Sequence, residues 1–231
     1  MKVILIDNSS LFVPTVKVCN RLKMQKVTTG SPSFVMPAHA MYFNSLISCL
    51  SKIGIEKDDI VICTEEGRSW RKEKASFYKE QRQGLRDKDT FTDWKREYEL
   101  FNNLHRQLKE STNWYFLRHE NCESDDLIAI ACRYFPDNEI IIITGDKDLH
   151  QLAYYPNVKI FNTNKKVNGS KGVYEFIKDP LKILSDKAKH GDKGDNIIPS
   201  ETDTIEDYEL RLLLVDLLHL PKEIEEKGVK V

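Results

Sequence analysis

Aspartate and glutamate recur at the ends of apolar runs. Asp7 closes the run from Val3 to Ile6, Glu65 and Glu66 follow Asp59-Ile-Val-Ile-Cys63 by two and three residues, and Asp146 and Asp148 follow a run that ends at Thr144. Glu123-Ser-Asp125-Asp126 opens a helical stretch behind Trp114 to Leu117, and Asp192 and Asp195 lie in His190-Gly-Asp-Lys-Gly-Asp-Asn196. If the apolar runs are parallel strands, these acids fall on loops outside the carboxyl ends of one sheet, where open α/β proteins bind ligands. Carboxylates crowded there raise each other's pKa and cannot all ionise unaided, a conflict that cations resolve. An oxygen-only set without His or Cys selects Mg²⁺ or Mn²⁺ over zinc, and two such ions suit phosphodiester hydrolysis by activating water and stabilising the leaving oxygen.

Each motif also has a plainer reading. Glu123 to Asp126 suits the acidic first turn that a helix dipole favours, Thr144-Gly-Asp-Lys-Asp148 suits a turn with a capping Asp148, and Gly191 to Asn196 suits a solvated turn. None of these explains why acids follow one strand after another at the same sheet end. His150 and His190 stand near the acidic motifs but read as structural, because Mg²⁺ prefers oxygen.

A basic segment lies between these acids. From Arg68 to Arg96 ten Lys and Arg stand against five Asp and Glu, interleaved with Trp70, Phe77, Tyr78, Phe91 and Trp94. A helix over Trp70 to Gln83 would put Arg71, Tyr78 and Arg82 on one face with Lys72 and Lys79 beside it. Such a face pairs phosphate-neutralising charge with rings on which bases stack, a nucleic-acid-binding arm. The aromatics taken singly suit a core equally well.

The elements that must position these groups follow from periodicity. Lys2 to Ile6, Asp59 to Cys63, Glu139 to Thr144 and Trp114 to Leu117 read as buried parallel strands, with helices over Pro37 to Ile53, Trp94 to Leu108 and Leu127 to Phe135. Asn157 to Val167 reads as an edge hairpin, Pro180 to His190 and Ile205 to Leu220 as helices, and Lys17 to Ser33 as a loop or insertion. The alternation predicts an α/β fold with a central, mainly parallel sheet flanked by helices.

With 231 residues and 40% hydrophobic content the chain suits one domain over 1–231: a core to residue 190 that includes an arch over about 68–96, then a shortened helical C-terminal region. The net charge of −1 conceals a basic arm and a tail from Glu201 with nine acids against four bases. Five cysteines, odd in number and with no CxxC pair, speak against a disulfide framework or a zinc knuckle and suit a reducing cytoplasm, and no apolar run is long enough for a signal peptide or a membrane span.

Five segments, in order, resemble the 5′-nuclease family, the flap endonuclease-like group with a PIN-like domain, and most of all its phage ribonuclease H and 5′-3′ exonuclease members of the T-even type. They are Val-Ile-Leu-Ile-Asp7-Asn-Ser-Ser; Trp70-Arg71-Lys72 with Phe77-Tyr-Lys-Glu-Gln-Arg82; Glu123-Ser-Asp-Asp126; Thr144-Gly-Asp-Lys-Asp148 with Gln151-Leu152; and Gly191-Asp-Lys-Gly-Asp-Asn196. The resemblance implies a divalent-metal-dependent 5′→3′ nuclease acting on RNA–DNA hybrid, on flaps or on single-stranded DNA, as in primer removal during replication. It implies two Mg²⁺ ions, replaceable by Mn²⁺. Asp7, Glu123, Asp125 and Asp146 would hold the first ion, with Asp126 beside them; Asp148, Asp192 and Asp195 would surround the second. Lys79 and Arg82 would contact the scissile phosphate.

The chain departs from the family pattern twice. Thr64-Glu65-Glu66 stands where an Asp is usual, which leaves Glu65 or Glu66 as the ligand. No Gly-Ile-Gly-type hairpin follows Asn196, so duplex anchoring is expected to be weak, absent or supplied by a partner such as a single-strand-binding or replication protein. A PIN-type endoribonuclease would need fewer carboxylates and no arm, and a non-catalytic nucleic-acid-binding relic would have no reason to keep costly clustered anions.

Overall fold

The computed structural model describes residues 1–29, 35–167 and 170–228. Its strands are β1 (Lys2–Asp7), β2 (Ile60–Thr64), β3 (Tyr115–Leu117), β4 (Glu139–Thr144), β5 (Val158–Val167) and β6 (Ser170–Glu175). They form one sheet in the order β3-β2-β1-β4-β5-β6, parallel except where β6 returns along β5. The helices are α1 (Asn8–Thr29), α2 (Ala38–Ile53), α3 (Arg71–Lys74), α4 (Gln81–Asp87), α5 (Trp94–Ser111), α6 (Ser124–Tyr134), α7 (Pro180–His190), α8 (Ile205–Val215) and α9 (Lys222–Gly228), with a 3₁₀ segment at Asp148–Tyr154.

The central strands are apolar on both faces because both faces are covered. Val3 and Leu5 of β1 join Ile140 and Ile142 of β4 in a core closed by α6, whereas Ile4 and Ile6 join Ile141 and Ile143 against α1 and α2. Each of these side chains is at most 1% exposed, and burying one is worth roughly 1.5–3 kcal/mol. Ile6 pairs with Ile143 and Asp7 with Thr64, so β1, β2 and β4 end level with one another. The chain leaves β1 toward β2 on one side and reaches β4 on the other. Their carboxyl ends therefore flank a topological switch point, the crevice where such sheets take ligands.

Four expectations need correction. Lys17 to Thr29 continues α1, while residues 30–33 lie outside the described residues. Its Lys, Arg, Met and Gln residues are good helix formers, but only a narrow stripe, Val16 and Cys19 among it, reaches the core. The basic arm is not one helix: α3 ends at Lys74, and Lys79 turns into the left-handed region at φ 55° before α4 begins. Arg71, Tyr78 and Arg82 therefore share no helical face. Asn157 to Val167 is one long strand whose hairpin partner is β6. The last long helix stops at Val215, where Gln151 takes over the backbone: its Nε2 donates to the Val215 carbonyl and its Oε1 accepts from Leu217 N. No described helix is long and apolar enough to cross a membrane.

Candidate functional site

β1 delivers Asp7 to the crevice, and Asp7 is only 2% exposed. The Thr144 hydroxyl, at the end of β4, donates to Asp7 Oδ2 at 2.7 Å and accepts from Asp146 N at 2.8 Å, so one side chain sets two acids. Ser10 N donates to the other Asp7 oxygen at 3.2 Å, and Asp146 Oδ1 accepts from Asp148 N at 2.9 Å. Asp125 arrives on the first turn of α6, whose N-terminus is closed by a reciprocal capping box between Glu123 and Asp126.

Asp7, Glu66, Asp125, Asp146, Asp148 and Asp195 line a cleft of about 530 Å³ together with Lys79 and Arg82. Of the two acids after β2, Glu66 lines the cleft and Glu65 does not. Glu65 turns away and meets His105 Nδ1 at 2.8 Å. The residue types could not decide between these neighbours, because adjacent acids after a strand end carry no periodicity.

The electrostatics divide the acids. Burial pushes Asp7 up to about 6, with the nearby Asp146 charge adding to it against the Thr144 bond. Burial also raises Asp125 well above the usual range, as do Asp7, Asp146 and Glu66. Glu66 reaches the open mouth of the cleft but is ringed by protein, and that desolvation plus Glu123 raises it despite Lys79. Among the described residues Asp7, Glu66, Asp125 and Asp146 form no ion pair with a lysine or arginine. Oxygen donors only, mutually repelling and with no lysine or arginine in ion-pair contact among the described residues, fit a hard divalent cation.

Behind this group the acids are paired. Burial of Glu123 is outweighed by Lys79 at 2.5 Å and Arg71 at 2.9 Å, which hold its carboxyl down at about 2. Asp195 accepts from Arg82 at 2.6 Å. Lys187 of α7 bridges Asp148 and Asp192. Burial and Asp146 still carry Asp148 to about 6, whereas Lys187 outweighs burial at Asp192 and lowers it. One oxygen from each of Asp148, Asp192 and Asp195 lies within 4.8 Å of the others. The loop that carries Asp192 and Asp195 turns at Gly191, φ 74°, where a Cβ would meet the Ile197 carbonyl oxygen at 2.3 Å.

Three expected site residues lie inside the protein. The Arg71 guanidinium, 2% exposed, binds Glu123, Asp126 and the Leu214 carbonyl, which leaves it no face for a phosphate. The Asp126 carboxylate is fully buried against Arg71 and Trp70 Nε1, away from the cleft. Tyr78 packs with Leu214 and Ile197, and its hydroxyl contacts Glu123 and Asp195, so its ring is not free to stack on a base. Lys72 is exposed on α3 but does not line the cleft. Lys79 and Arg82 do line it, and the arm is pinned there: Lys79 N donates to the Asp195 carbonyl at 2.9 Å, and Gln81 Nε2 reaches the Lys193 and Gly194 carbonyls. Ser10, Thr144 and Lys187 were not anticipated. Only Ser10, three residues after Asp7 at a helix start, left a local signal.

A family model described as 5′-3′ exonuclease, N-terminal resolvase-like domain, matches residues 2–178. The chain belongs to this family. Members similar to it include the ribonuclease H of Enterobacteria phage T4, 33% identical over 143 residues, which are 60% of this chain and 45% of that protein. The 5′-3′ exonuclease of Mycoplasmopsis pulmonis (strain UAB CTIP) is 30% identical over 161 residues, 68% of this chain and 50% of that one. The chain thus spans about half the length of the curated relatives it matches. A solved structure of the flap endonuclease of bacteriophage T5, in complex with DNA and metal ions, superposes with a TM-score of 0.67 at 16% identity over 100% of this chain and 97% of that one. That likeness carries the fold: the mainly parallel α/β sheet flanked by helices is what the strand alternation predicts, and its PIN-like type is what the family resemblance implies.

Proposed function

We propose that this chain is a divalent-metal-dependent 5′→3′ nuclease that hydrolyses phosphodiester bonds of flap or single-stranded DNA and of RNA–DNA hybrid, as in primer removal. One observation carries the reading: four carboxylates from β1, the β2 end, α6 and the β4 end converge without a basic partner among the described residues. The chain belongs to the 5′-3′ exonuclease family, and two relatives are named as a ribonuclease H and a 5′-3′ exonuclease. Residues 1–231 act as one nuclease domain in this reading. Five buried cysteines suit a reducing cytoplasm.

Asp7, Glu66, Asp125 and Asp146 would hold one ion, with Glu123 behind them; Asp148, Asp192 and Asp195 would hold a second. Mg²⁺ suits this all-oxygen set and Mn²⁺ would replace it. Bound there, such ions make water a nucleophile at neutral pH and neutralise charge on the leaving oxygen. The protein's own groups do the rest. Thr144 orients Asp7 and Asp146 together, and Lys79 and the half-exposed Arg82 present cationic donors to the phosphate at the cleft mouth. Asp126 and Arg71 support Glu123 from the interior. DNA or hybrid with a 5′ end is the partner, and a replication or single-strand-binding protein would supply duplex anchoring.

The test uses a 5′-labelled RNA–DNA hybrid and a 5′-flap DNA with Mg²⁺, Mn²⁺ or EDTA, comparing the native chain with Asp146→Asn. Short labelled products that disappear in EDTA, and fall more than about a hundredfold in the variant, are expected, since losing a ligand should exceed the 10–100-fold cost of outer-sphere changes. Binding without metal-dependent cleavage would leave a nucleic-acid-binding protein and end the enzyme reading.

A further inference from the structure

Glu65, the acid that the cleft does not use, begins a buried polar chain. His105 Nδ1 lies 2.8 Å from its Oε1, and His105 Nε2 lies 3.4 Å from the Tyr42 hydroxyl. That hydroxyl donates to Asn8 Oδ1 at 2.6 Å, and Asn8 Nδ2 donates to the Thr64 carbonyl at 3.1 Å. Four elements contribute: the end of β2, α5, α2 and the first residue of α1. Tyr42, Asn8 and His105 are 0%, 2% and 3% exposed, and Tyr42 and His105 pack on Phe101 among apolar side chains.

Polar groups at such depth destabilise a core unless each is satisfied, and an apolar core would fill the space as well. What the polar chain adds is direction. Asn8 follows Asp7 at the point where β1 becomes α1 and its backbone ladder to β2 ends. The Asn8 amide continues that ladder by bonding Thr64, the residue that pairs with Asp7. Thr144 and Ser10 then hold the Asp7 carboxylate itself. At the other end of the polar chain, the bond from the buried His105 turns Glu65 away from the cleft, which leaves its neighbour Glu66 to face it.

We infer that Glu65, His105, Tyr42 and Asn8 are positioning residues that fix the Asp7 and Glu66 carboxylates toward each other. This rests on the cleft being a divalent-cation site. Glu65 therefore acts through a hydrogen bond and not as a ligand, and the two roles separate experimentally. In Glu65→Gln the amide oxygen still accepts from His105 but the charge is gone; in Glu65→Ala both are lost.

The measurement is Mn²⁺ affinity by calorimetry in the full chain, with thermal unfolding in parallel. Tyr42→Phe, which removes a single oxygen, and Glu65→Ala should weaken the tightest Mn²⁺ site about 10-fold, the scale of outer-sphere losses, whereas Glu65→Gln should stay within about 3-fold. Ile53→Ala, at the far end of α2 from the cleft, should lower the melting temperature and leave Mn²⁺ affinity unchanged. Unchanged affinity in both Tyr42→Phe and Glu65→Ala would overturn the inference, as would Glu65→Gln binding as weakly as Glu65→Ala. A native chain that binds no Mn²⁺ would overturn the cation reading itself, and this inference with it.

Discussion

Asp7 and Glu123 are buried to a similar extent, 2% and 6% exposed, yet their carboxyl groups move in opposite directions, to about 6 and to about 2. The difference is the partner. Glu123 has Lys79 and Arg71 within 2.9 Å; Asp7 has a threonine hydroxyl, a backbone N–H and another acid. The contrast extends across the site. Glu123, Asp126, Asp148, Asp192 and Asp195 are each met by Arg71, Lys79, Arg82 or Lys187, whereas Asp7, Glu66, Asp125 and Asp146 meet no such cation among the described residues. The paired acids form a scaffold that stands without any ligand. The unpaired ones cost stability until a cation arrives, the usual relation between a binding site and its fold.

The sharpest way to break this contrast is to unpair the scaffold. Arg71→Met leaves two buried carboxylates, Glu123 and Asp126, without their shared cation, and should destabilise the fold by about 3–5 kcal/mol, the cost of breaking a buried pair from one side. Urea denaturation measures it. A loss below about 1 kcal/mol would mean that Arg71 is not what holds the paired side together.

The opposite change, removing an unpaired acid, should stabilise. The Asp7 carboxyl titrates near 6 when folded against 3.8 as its ordinary value, so the folded chain holds the proton more tightly. Its contribution to stability is full below about 3.8 and is lost as pH rises through about 6. Above that range ionised Asp7 costs up to about 3 kcal/mol in the metal-free protein. Asp7→Asn should therefore be more stable than the native chain in EDTA at pH 8 by about 1–3 kcal/mol, with the gain shrinking toward pH 5. Excess Mn²⁺ should stabilise the native chain more than the variant, which keeps only the second site intact. Equal stabilities at pH 8 in EDTA would remove the distinction between the two sides.

The acids of both sides were legible in the amino-acid order; the pairing that divides them was not. Asp7 and Asp146 can be located because doubly covered parallel strands read as unbroken apolar runs, and the residues just after each run must lie at the sheet end; Asp125 is located by the acidic first turn of the helix that follows the next strand. Pairing depends on distant residues. Arg71 sits in a Lys-rich and Arg-rich stretch beside Lys72 and looks like its exposed neighbours; Glu123, Asp126 and the Leu214 carbonyl, far along the chain, make it a core residue. Lys187 likewise resembles any solvent-facing lysine of an amphipathic helix until α7 is laid against the Asp148 turn. The break in the arm at Lys79 is a tertiary effect too, since a lysine at φ 55° is held there by its N–H bond to Asp195.

Lys187 marks where the contrast is least complete, and the smallest expected effect belongs there. Its ammonium bridges Asp148 and Asp192 inside the three-acid group that includes Asp195, so a monovalent cation of the chain stands where a divalent one would bind. Burial disfavours the charge, but the two carboxylates outweigh it and raise the Lys187 pKa. A divalent ion at these acids must displace that ammonium. Lys187→Met should cost about 1 kcal/mol in EDTA, a figure discounted because Lys187 and both acids remain partly solvated. The same change should tighten the weaker Mn²⁺ site by about 3- to 10-fold, well below the unscreened attraction of two charges at such range. Calorimetry resolves the two sites. Weaker Mn²⁺ binding in the variant would show that Lys187 assembles these acids for the ion and does not compete with it, and would place it with Arg71 in the scaffold.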